Sequence, residues 1–574
     1  MDSSGQGGRQ PRIRHNDYGS LQPAELGAWT PTLSVSVVIP AYGAQHKLDV
    51  TLASLASQSY PAELLDVIVV DDNSEPPLRL PEIKPERTRL ITSDDGKWGS
   101  GHAFHCGVLA AEGDIVLRLD SDMLVFREHV EAQARWHHLA DHLVVLGHKR
   151  MVPYTEGRPT PEEAAKAVAD GAAAALFDLA ESQAHWVDEH IERSDALRTS
   201  GHRSYHVYVG ATGSLRRELY HEAGGMDRAL LLGGDSEFGY RLAQTGAVFI
   251  PELDPRASSW HLGLTQMQQN RETGKRYREP LVNQRVPQPR WRRGAAGRQW
   301  QVPGIDAVVH AAGADAADVI ATVDGLLGGA VTDVRVSLVG PWSELSDRRG
   351  DPLQDPQFDL RLLRENYRTD QRVRLVEADP GRDRAVPYRF VVPAGWVPTS
   401  GALQRLIRLA DQRDLGLVQL SMASGDGRPP ATARFERSMS FARAERVRDE
   451  GEDLDDVVAE LFDDFLLDGT EWAFQPAAEV TGRKKELTDW QGKAAHWRGV
   501  AERHRLAARQ AQLRLDYRAG YAPTRSDRLR AWTRAQWVLH GRRIALGLAR
   551  RTPSWGRAMV PGGLRRRFRA LTRR

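Results

Sequence analysis

Asp114-Ile115-Val116-Leu117-Arg118-Leu119-Asp120-Ser121-Asp122 is an apolar run that closes on an Asp-x-Asp. A strand ending in two carboxylates one residue apart carries both on the same side of the chain. Two hard oxygen ligands in that position suit Mg²⁺ or Mn²⁺, and such an ion can hold a diphosphate in turn. An acidic pair after a strand is more often a solvated turn, so the reading depends on what flanks it.

Upstream, Val35-Ser36-Val37-Val38-Ile39-Pro40-Ala41-Tyr42 is a β-branched run stopped by proline, which predicts a buried strand. Leu48, Leu52 and Leu55 then recur at helical spacing. Leu65-Asp66-Val67-Ile68-Val69-Val70-Asp71-Asp72-Asn73-Ser74 follows as a second buried strand ending in acids. Strand, helix, strand over about forty residues is a parallel βαβ unit, and such sheets bind ligands beyond their carboxyl ends. Pro40, Tyr42, Asp71, Asp72, Asp120 and Asp122 all fall at such ends, on one rim.

The ordered series VVIPAY, VVDDNS, RLDSD, GATGSLRRELYHEAGGMD and GGDSEFGYRL resembles the GT-A-fold, nucleotide-sugar-dependent glycosyltransferases of inverting family 2. With Ser259-Trp260-His261 after them, the last two motifs are most similar to the branch of chondroitin-type polymerases and galactosyltransferase-like C-terminal motifs. The resemblance covers roughly Ser34 to Gly274. It implies a mostly parallel, Rossmann-like α/β domain that moves a sugar from a nucleotide sugar, UDP-linked in this expectation, to an acceptor hydroxyl.

The same resemblance distributes roles. Asp122 would bind Mn²⁺ or Mg²⁺, with Asp120 positioning the ion or the ribose and His261 as a further ligand. Pro40, Ala41, Tyr42, Asp71, Asp72 and Asp120 would surround the nucleotide, Tyr42 facing a uracil ring and Asp72 accepting from its imide N–H. Anchoring on EFGYRL puts Asp235 at the position of the catalytic base; Gly234 stands where the family has the first acid of a pair. A carboxylate there can take the hydroxyl proton only within hydrogen-bond reach, and the competing role for Asp235 is a helix N-cap. Gly210, Thr212 and Gly213 are expected to line the sugar pocket, with Gly234 and Glu237 on the sugar or acceptor side. Glu237 has a second reading as a first-turn helix acid.

At 574 residues with a net charge of +2, the chain has room for several domains. The charge is uneven: from Ala501 to Arg574 there are 20 Arg and no Lys against 3 acids, so this tail carries +17 and the remainder −15. That asymmetry points to an anionic partner. Trp532, Trp537 and several aliphatic residues sit among its arginines, the pattern of a basic amphipathic helix on an anionic membrane surface. No nucleic-acid partner is expected, because no base-reading module accompanies the charge. Cys106 stands alone, which excludes an intrachain disulfide. No apolar run reaches spanning length, so the expected location is cytoplasmic, with the tail at the inner face of the plasma membrane.

A second half-repeat is visible. Ile305-Asp306-Ala307-Val308-Val309-His310, a helical stretch, and Asp333-Val334-Arg335-Val336-Ser337-Leu338-Val339-Gly340 mimic the opening βαβ unit, and Tyr388-Arg389-Phe390-Val391-Val392-Pro393-Ala394 stands where RLDSD stood. Hand alignment replaces Tyr42 by Ala312, Asp71 and Asp72 by Gly340 and Pro341, and Asp120 and Asp122 by Val392 and Ala394. The expected organisation is a disordered leader (1–33), a GT-A domain (34–275), a linker (276–302), a degenerate, catalytically silent GT-A-like domain (303–480) and an Arg-rich helical tail (485–574). Two other functions compete: a non-catalytic nucleotide-sugar-binding or scaffold protein, which intact Asp120, Asp122 and Asp235 oppose, and a sugar nucleotidyltransferase, whose Gly-rich loop Pro40-Ala41-Tyr42-Gly43 does not supply. The acceptor could be an envelope or capsular glycan, a lipid-linked sugar or a small molecule.

Overall fold

A computed structural model of the chain describes residues 9–94, 98–288, 290, 298–345, 354–422, 431–482, 495–496 and 499–512. The first domain is built on β1 (Val35–Ala41), β2 (Leu65–Asp71), β3 (Thr88–Thr92), β4 (Ile115–Leu119), β5 (Met123–Val125), β6 (Leu143–Gly147), β7 (Arg150–Val152), β8 (Gln183–Ala184), β9 (Thr212–Arg216), β10 (Val248–Glu252) and β11 (Ser259–Leu262). Seven of these form a sheet in the order β10-β6-β9-β4-β1-β2-β3. β1 is parallel to β2 and β4, whereas β9 runs antiparallel to both β4 and β6.

Every residue of β1, β2 and β4 is buried, as expected of strands covered by helices on both faces. The two faces have separate cores. Val37, Ile39, Leu48, Leu52 and Leu117 pack on one side, and Val38, Ile68, Phe104, Tyr220 and Phe238 on the other. Alternation along each strand divides its side chains between these cores. The helix Ser100–Leu109 lies so close to the sheet that a Cβ on Gly107 would meet Val38 Cγ1 at 2.3 Å.

A small sheet, β5-β11-β7-β8, caps the rim. Antiparallel pairing of β11 with β5 sets His261 opposite Met123, and Leu262 N–H donates to the Asp122 carbonyl at 2.8 Å. Tertiary pairing thus brings a histidine far along the chain beside the Asp-x-Asp.

The second sheet runs Val373–Val376, Val334–Val339, Ile305–His310, Tyr388–Val391, Ala431–Arg437, Leu417–Met422, Asp464–Asp468. Its order and strand directions repeat those of the first sheet, including one strand antiparallel to both neighbours. Even the β5–β11 pair has its counterpart, Trp396–Pro398 against Phe474–Pro476. The register adjusts the hand alignment by one residue. Val35 pairs with Ile115, and Ile305 with Tyr388, so Asp120 and Asp122 correspond to Pro393 and Gly395, and His261 to Pro476. None of these three carries a ligand side chain.

Two expectations about the connections change. Residues 9–33, expected as a disordered leader, are folded against both sheets: Ile13, Asn16 and Tyr18 are buried. Asn16 donates to the Phe249 and Leu197 carbonyls and accepts from Phe249 N–H, while His15 N–H donates to Leu461. The buried Arg443 guanidinium closes the seam by donating to the carbonyls of Gly246, Ala247, Ile13 and His15. The expected linker begins inside a helix, Arg271–Arg285, which continues through Pro280. Residues Met1–Glu479 make one compact unit and Val480–Arg574 another. In the second unit residues 499–512 are helical, and the Trp532–Trp537 stretch lies outside the described residues. Among the described residues no helix is long and apolar enough to cross a membrane.

Candidate active site

The carboxyl ends of β1, β2 and β4 meet the amino-terminal turn of the helix Gly234–Gln244, and the candidate residues divide around that junction. At the nucleotide end, Tyr42 is exposed and meets Trp98 edge-on, ring centroids 5.6 Å apart. Ala41 is buried at the end of β1, where its carbonyl accepts from Asp72 N–H, and Pro40 pairs with Val70 inside the sheet. Asp72 accepts from Ser93 Oγ at 2.9 Å and from Gly99 N–H at 2.7 Å, which anchors the start of the helix Ser100–Leu109. Asp71 is a turn residue: its two oxygens accept from Ser74 N–H and Leu78 N–H. Asp72 is thus buried with both oxygens engaged, as Asp71 is, whereas Tyr42 is exposed at the rim, and Trp98 joins it without a motif to announce it.

Where β5 meets β11, His261 Nε2 lies 3.5 Å from Asp122 Oδ1. His261 Nδ1–H donates to the Gly263 carbonyl at 2.9 Å, which orients Nε2 toward the Asp122 carboxylate. His261 is buried and Asp122 part-exposed, and a cation or a proton between them would suit both. An imidazole oriented through its other nitrogen and paired with a carboxylate is a donor set that fits Mn²⁺ or Mg²⁺. Lys47 Nζ, 3.6 Å from Asp122 and hydrogen-bonded to the Leu262 carbonyl, borders this corner. Asp120 departs from its expected share in the metal: its carboxylate turns to Arg118, 3.3 Å away, and among the described residues it does not complete a compact three-ligand cluster with Asp122 and His261.

At the helix end of the rim, Asp235 Oδ1 accepts from Arg118 Nη1 at 2.7 Å and Oδ2 from Gly210 N–H at 3.0 Å. The cap of its helix is Gly233, in the left-handed region at φ 87°, so Asp235 belongs to the first turn and is not the N-cap. Its side chain remains part-exposed. Gly210 has no room for a side chain, because a Cβ there would lie 2.2 Å from Arg118 Nη1 and 2.7 Å from Asp235 Oδ1. Gly234 begins the same helix, with a Cβ position 3.0 Å from Met226 Cε.

Arg118 is the residue that sequence reasoning overlooked. It sits two positions before Asp120 on β4, on the same face, and bridges Asp120 to Asp235; the period-2 rule applied one step further back would have found it. Burial raises the Asp120 pKa above the ordinary carboxylate range, with the Arg118 charge opposing that rise. Lys149, after β6, was also missed. Burial lowers its pKa to about 8, against the pull of Asp120, Asp188 and Asp235.

Two expected pocket residues are engaged elsewhere. The Thr212 hydroxyl is enclosed with His129 Nε2 at 2.7 Å and Gln133 Nε2 at 3.1 Å. Glu237 is buried and gives both oxygens to Arg241, at 2.5 and 2.7 Å, which is the i,i+4 structural role. Gly213 lies within β9, its Cβ position facing the Val145 carbonyl. Away from the rim, Asp94, His102 and Cys106 have ligand atoms within 4.8 Å of one another. Arg228 donates to both Asp94 and His102, so a guanidinium supplies the positive charge of that cluster.

The doubly wound sheet, with one strand antiparallel to both neighbours and acidic side chains at its carboxyl rim, is of the GT-A type. Residues 36–222 match the family described as Glycosyl transferase family 2. It is similar to the amylovoran biosynthesis glycosyltransferase AmsB of Erwinia amylovora, 32% identical over 130 residues, which cover 22% of this chain and 41% of that one. It is also similar to chondroitin synthase of Escherichia coli, 22% identical over 359 residues, covering 60% of this chain and 50% of the relative. The chain thus spans half or less of the length of these two relatives. Among solved structures it is similar to the mannosyltransferase PcManGT from Pyrobaculum calidifontis in complex with GDP-Man and Mn²⁺, with 18% identity, a TM-score of 0.29, and coverage of 44% of this chain and 62% of that one.

Proposed function

We propose that the first domain is a metal-dependent inverting glycosyltransferase that moves a sugar from a UDP-sugar to an acceptor hydroxyl of a glycan. The observation that carries this reading is the separation of two carboxylate functions on one rim. Asp122 pairs with the His261 imidazole, while Asp235 is held by Arg118 and Gly210 N–H in the first turn of its helix.

Asp122 and His261 would hold Mn²⁺ or Mg²⁺. Bound there, the ion would neutralise charge on the departing diphosphate as a Lewis acid. Tyr42 and Trp98 would take the base between their faces and edges, with Asp72 as its hydrogen-bond acceptor. Asp235 would accept the proton of the acceptor hydroxyl as its oxygen bonds to the anomeric carbon from the side opposite the diphosphate. The bond from that carbon to the phosphate oxygen breaks with its electrons going to the diphosphate, so the anomeric configuration inverts. Arg118 and Gly210 N–H orient Asp235, and the acceptor hydroxyl would approach the part-exposed side of its carboxylate. The second sheet lacks ligand side chains at Pro393, Gly395 and Pro476, which supports a non-catalytic role for it. The Arg-rich tail at an anionic membrane surface, with an envelope or lipid-linked acceptor, completes the proposal, resting on its +17 charge.

The test is release of the nucleoside diphosphate from UDP-, GDP- and dTDP-sugars with Mn²⁺, Mg²⁺ or EDTA. Metal-dependent release from one donor, abolished in Asp122→Ala and lowered about 10²–10⁴-fold in Asp235→Asn, is the expected result. Full activity of Asp235→Asn would remove it as the base. Metal-dependent nucleotide binding without turnover on any acceptor would favour the scaffold alternative.

A further inference from the structure

The segment Gly201 to Ala211 runs from the surface of the second domain to the Asp235 carboxylate. It starts as a 3₁₀ turn, Gly201–Val207, and Asp414 of the second domain holds that start. Asp414 Oδ1 lies 2.5 Å from His202 Nδ1, and the carboxylate accepts from His202 N–H at 3.2 Å. A Cβ on Gly201 would collide with Asp414 Oδ2. The other end of the segment holds the rim. Gly210 N–H donates to Asp235 Oδ2 at 3.0 Å, and the Ala211 carbonyl accepts from Asp120 N–H at 2.9 Å. In between, the segment lies against the helix that carries Asp235. Tyr205 meets Tyr240 edge-on at 5.6 Å, Tyr208 meets Phe238 at 5.9 Å, and a Cβ on Gly239 would lie 2.8 Å from Tyr208 Cβ.

Residues 201–211 belong to no strand, so side-chain contacts decide where the segment sits. Asp414 is itself well fixed. It follows the helix Ala402–Arg413 in the left-handed region, at φ 56°, and His15 Nδ1 lies 3.5 Å from its Oδ2. Beside it Asp411 accepts from the Tyr388 hydroxyl and from the buried Arg437, whose Nε donates to the Leu415 carbonyl at 3.0 Å. The second domain also grips the Asp235 helix. The Tyr240 hydroxyl donates to the Ala385 carbonyl at 2.7 Å, and Arg443 donates to Gly246 and Ala247 just past the helix end. Close-packed contacts in series transmit a displacement from one end to the other. We propose that Asp414 is a positioning residue for Asp235: the second domain, without ligand side chains of its own, places the Gly210 donor through the Gly201–Gly210 segment. The catalytic consequence rests on the glycosyltransferase reading of Asp235; the placement of the segment does not.

The experiment compares the full wild-type chain with Asp414→Gly and Asp414→Asn by amide hydrogen exchange, UDP titration in Mn²⁺, and nucleoside diphosphate release from the donor panel above. Glycine keeps the left-handed backbone and removes the carboxylate; asparagine keeps that backbone and an acceptor oxygen for His202. In Asp414→Gly, exchange over residues 205–211 should rise at least about tenfold, with residues 35–41 and 65–71 unchanged. UDP affinity should stay equal while kcat falls about 10- to 100-fold at an unchanged donor KM. Asp414→Asn should stay near wild type in all three. Unaltered exchange over 205–211 in Asp414→Gly overturns the proposal. So does a rise shared equally by 35–41 and 65–71, or a loss of UDP affinity matching that of kcat, the marks of general loosening. A normal kcat despite faster exchange overturns the link to Asp235, and an Asp414→Asn protein as impaired as Asp414→Gly overturns the acceptor role of residue 414. Failure of wild type to bind UDP or to turn over any donor would count against the transferase reading itself, while the exchange comparison still decides whether Asp414 places the segment.

Discussion

Arg118 Nη1 lies 2.7 Å from Asp235 Oδ1, and the same guanidinium reaches Asp120 at 3.3 Å, so one buried side chain spans two carboxylates that are 115 residues apart. The second carboxylate is the proposed base, and its direction is fixed by this pair together with Gly210 N–H. Arg118→Met removes the fork while keeping the side chain's apolar bulk beside Phe104, over whose ring the guanidinium sits at 5.4 Å. The expected outcome is a fall in kcat of about 10²-fold, the scale of a misplaced catalytic group, with UDP affinity unchanged. Arg118→Lys should restore little, because an ammonium cannot fork between both carboxylates. Steady-state kinetics alongside nucleotide titration reads the two quantities separately.

His261 and Asp122 face each other across 3.5 Å with the imidazole oriented by Gly263. Each of His261→Ala and Asp122→Ala should weaken Mn²⁺ binding by at least about tenfold, measured by the loss of the free-ion paramagnetic signal. Unchanged affinity in both would remove this pair as the metal site. The second domain, with prolines and a glycine at the matching positions, should add no further binding equivalent.

Thr212 is part of a buried histidine network that gives the domain a defined response to acid. Burial lowers the pKa of His129 to about 4 and that of His137 to about 3, from 6.5 in an unfolded chain. Both rings are neutral and hydrogen-bonded in the fold, to Thr212 and Ser214 respectively. The unfolded chain therefore binds protons first as pH falls below 6.5, and stability is lost from there down to the folded values, at about 1.4 kcal/mol per pH unit per histidine. Denaturant midpoints should be flat from pH 8 to 7 and fall between pH 6 and 4. His137→Asn should lower the plateau and flatten the slope.

Asn16 satisfies both backbone groups of Phe249 on β10. Asn16→Ala leaves a buried N–H and two carbonyls without their partner, at an expected cost of about 2–3 kcal/mol. Urea unfolding measures it, and a change below about 0.5 kcal/mol would show that residues 9–33 add little to the folded unit.

Local sequence was enough for the sheet. The β-branched runs at 35–41, 65–71 and 115–119 have one low-energy outcome, a strand buried on both faces, and their acidic ends follow from chain order alone. The internal repeat was legible for the same reason, since strand runs at 305–310, 334–339 and 388–391 recur in the same sequence. It was off by one residue at Pro393 and Gly395 because register is set by pairing between strands, which a single segment does not contain. Thr212 and Glu237 carried the right chemistry in the right motifs, yet their polar atoms turned to His129 and Arg241, a choice made by packing from other elements. The leader read as disordered from its polar composition; its few apolar residues, Ile13 and Tyr18, pack against Trp136, Leu143, Val145, Val248 and Ile250 of the first domain, all far along the chain. Motif order determined which residues could meet on the rim. Tertiary structure decided that Arg118 joins Asp120 to Asp235, because the charge a side chain faces depends on distant segments brought within a few ångströms.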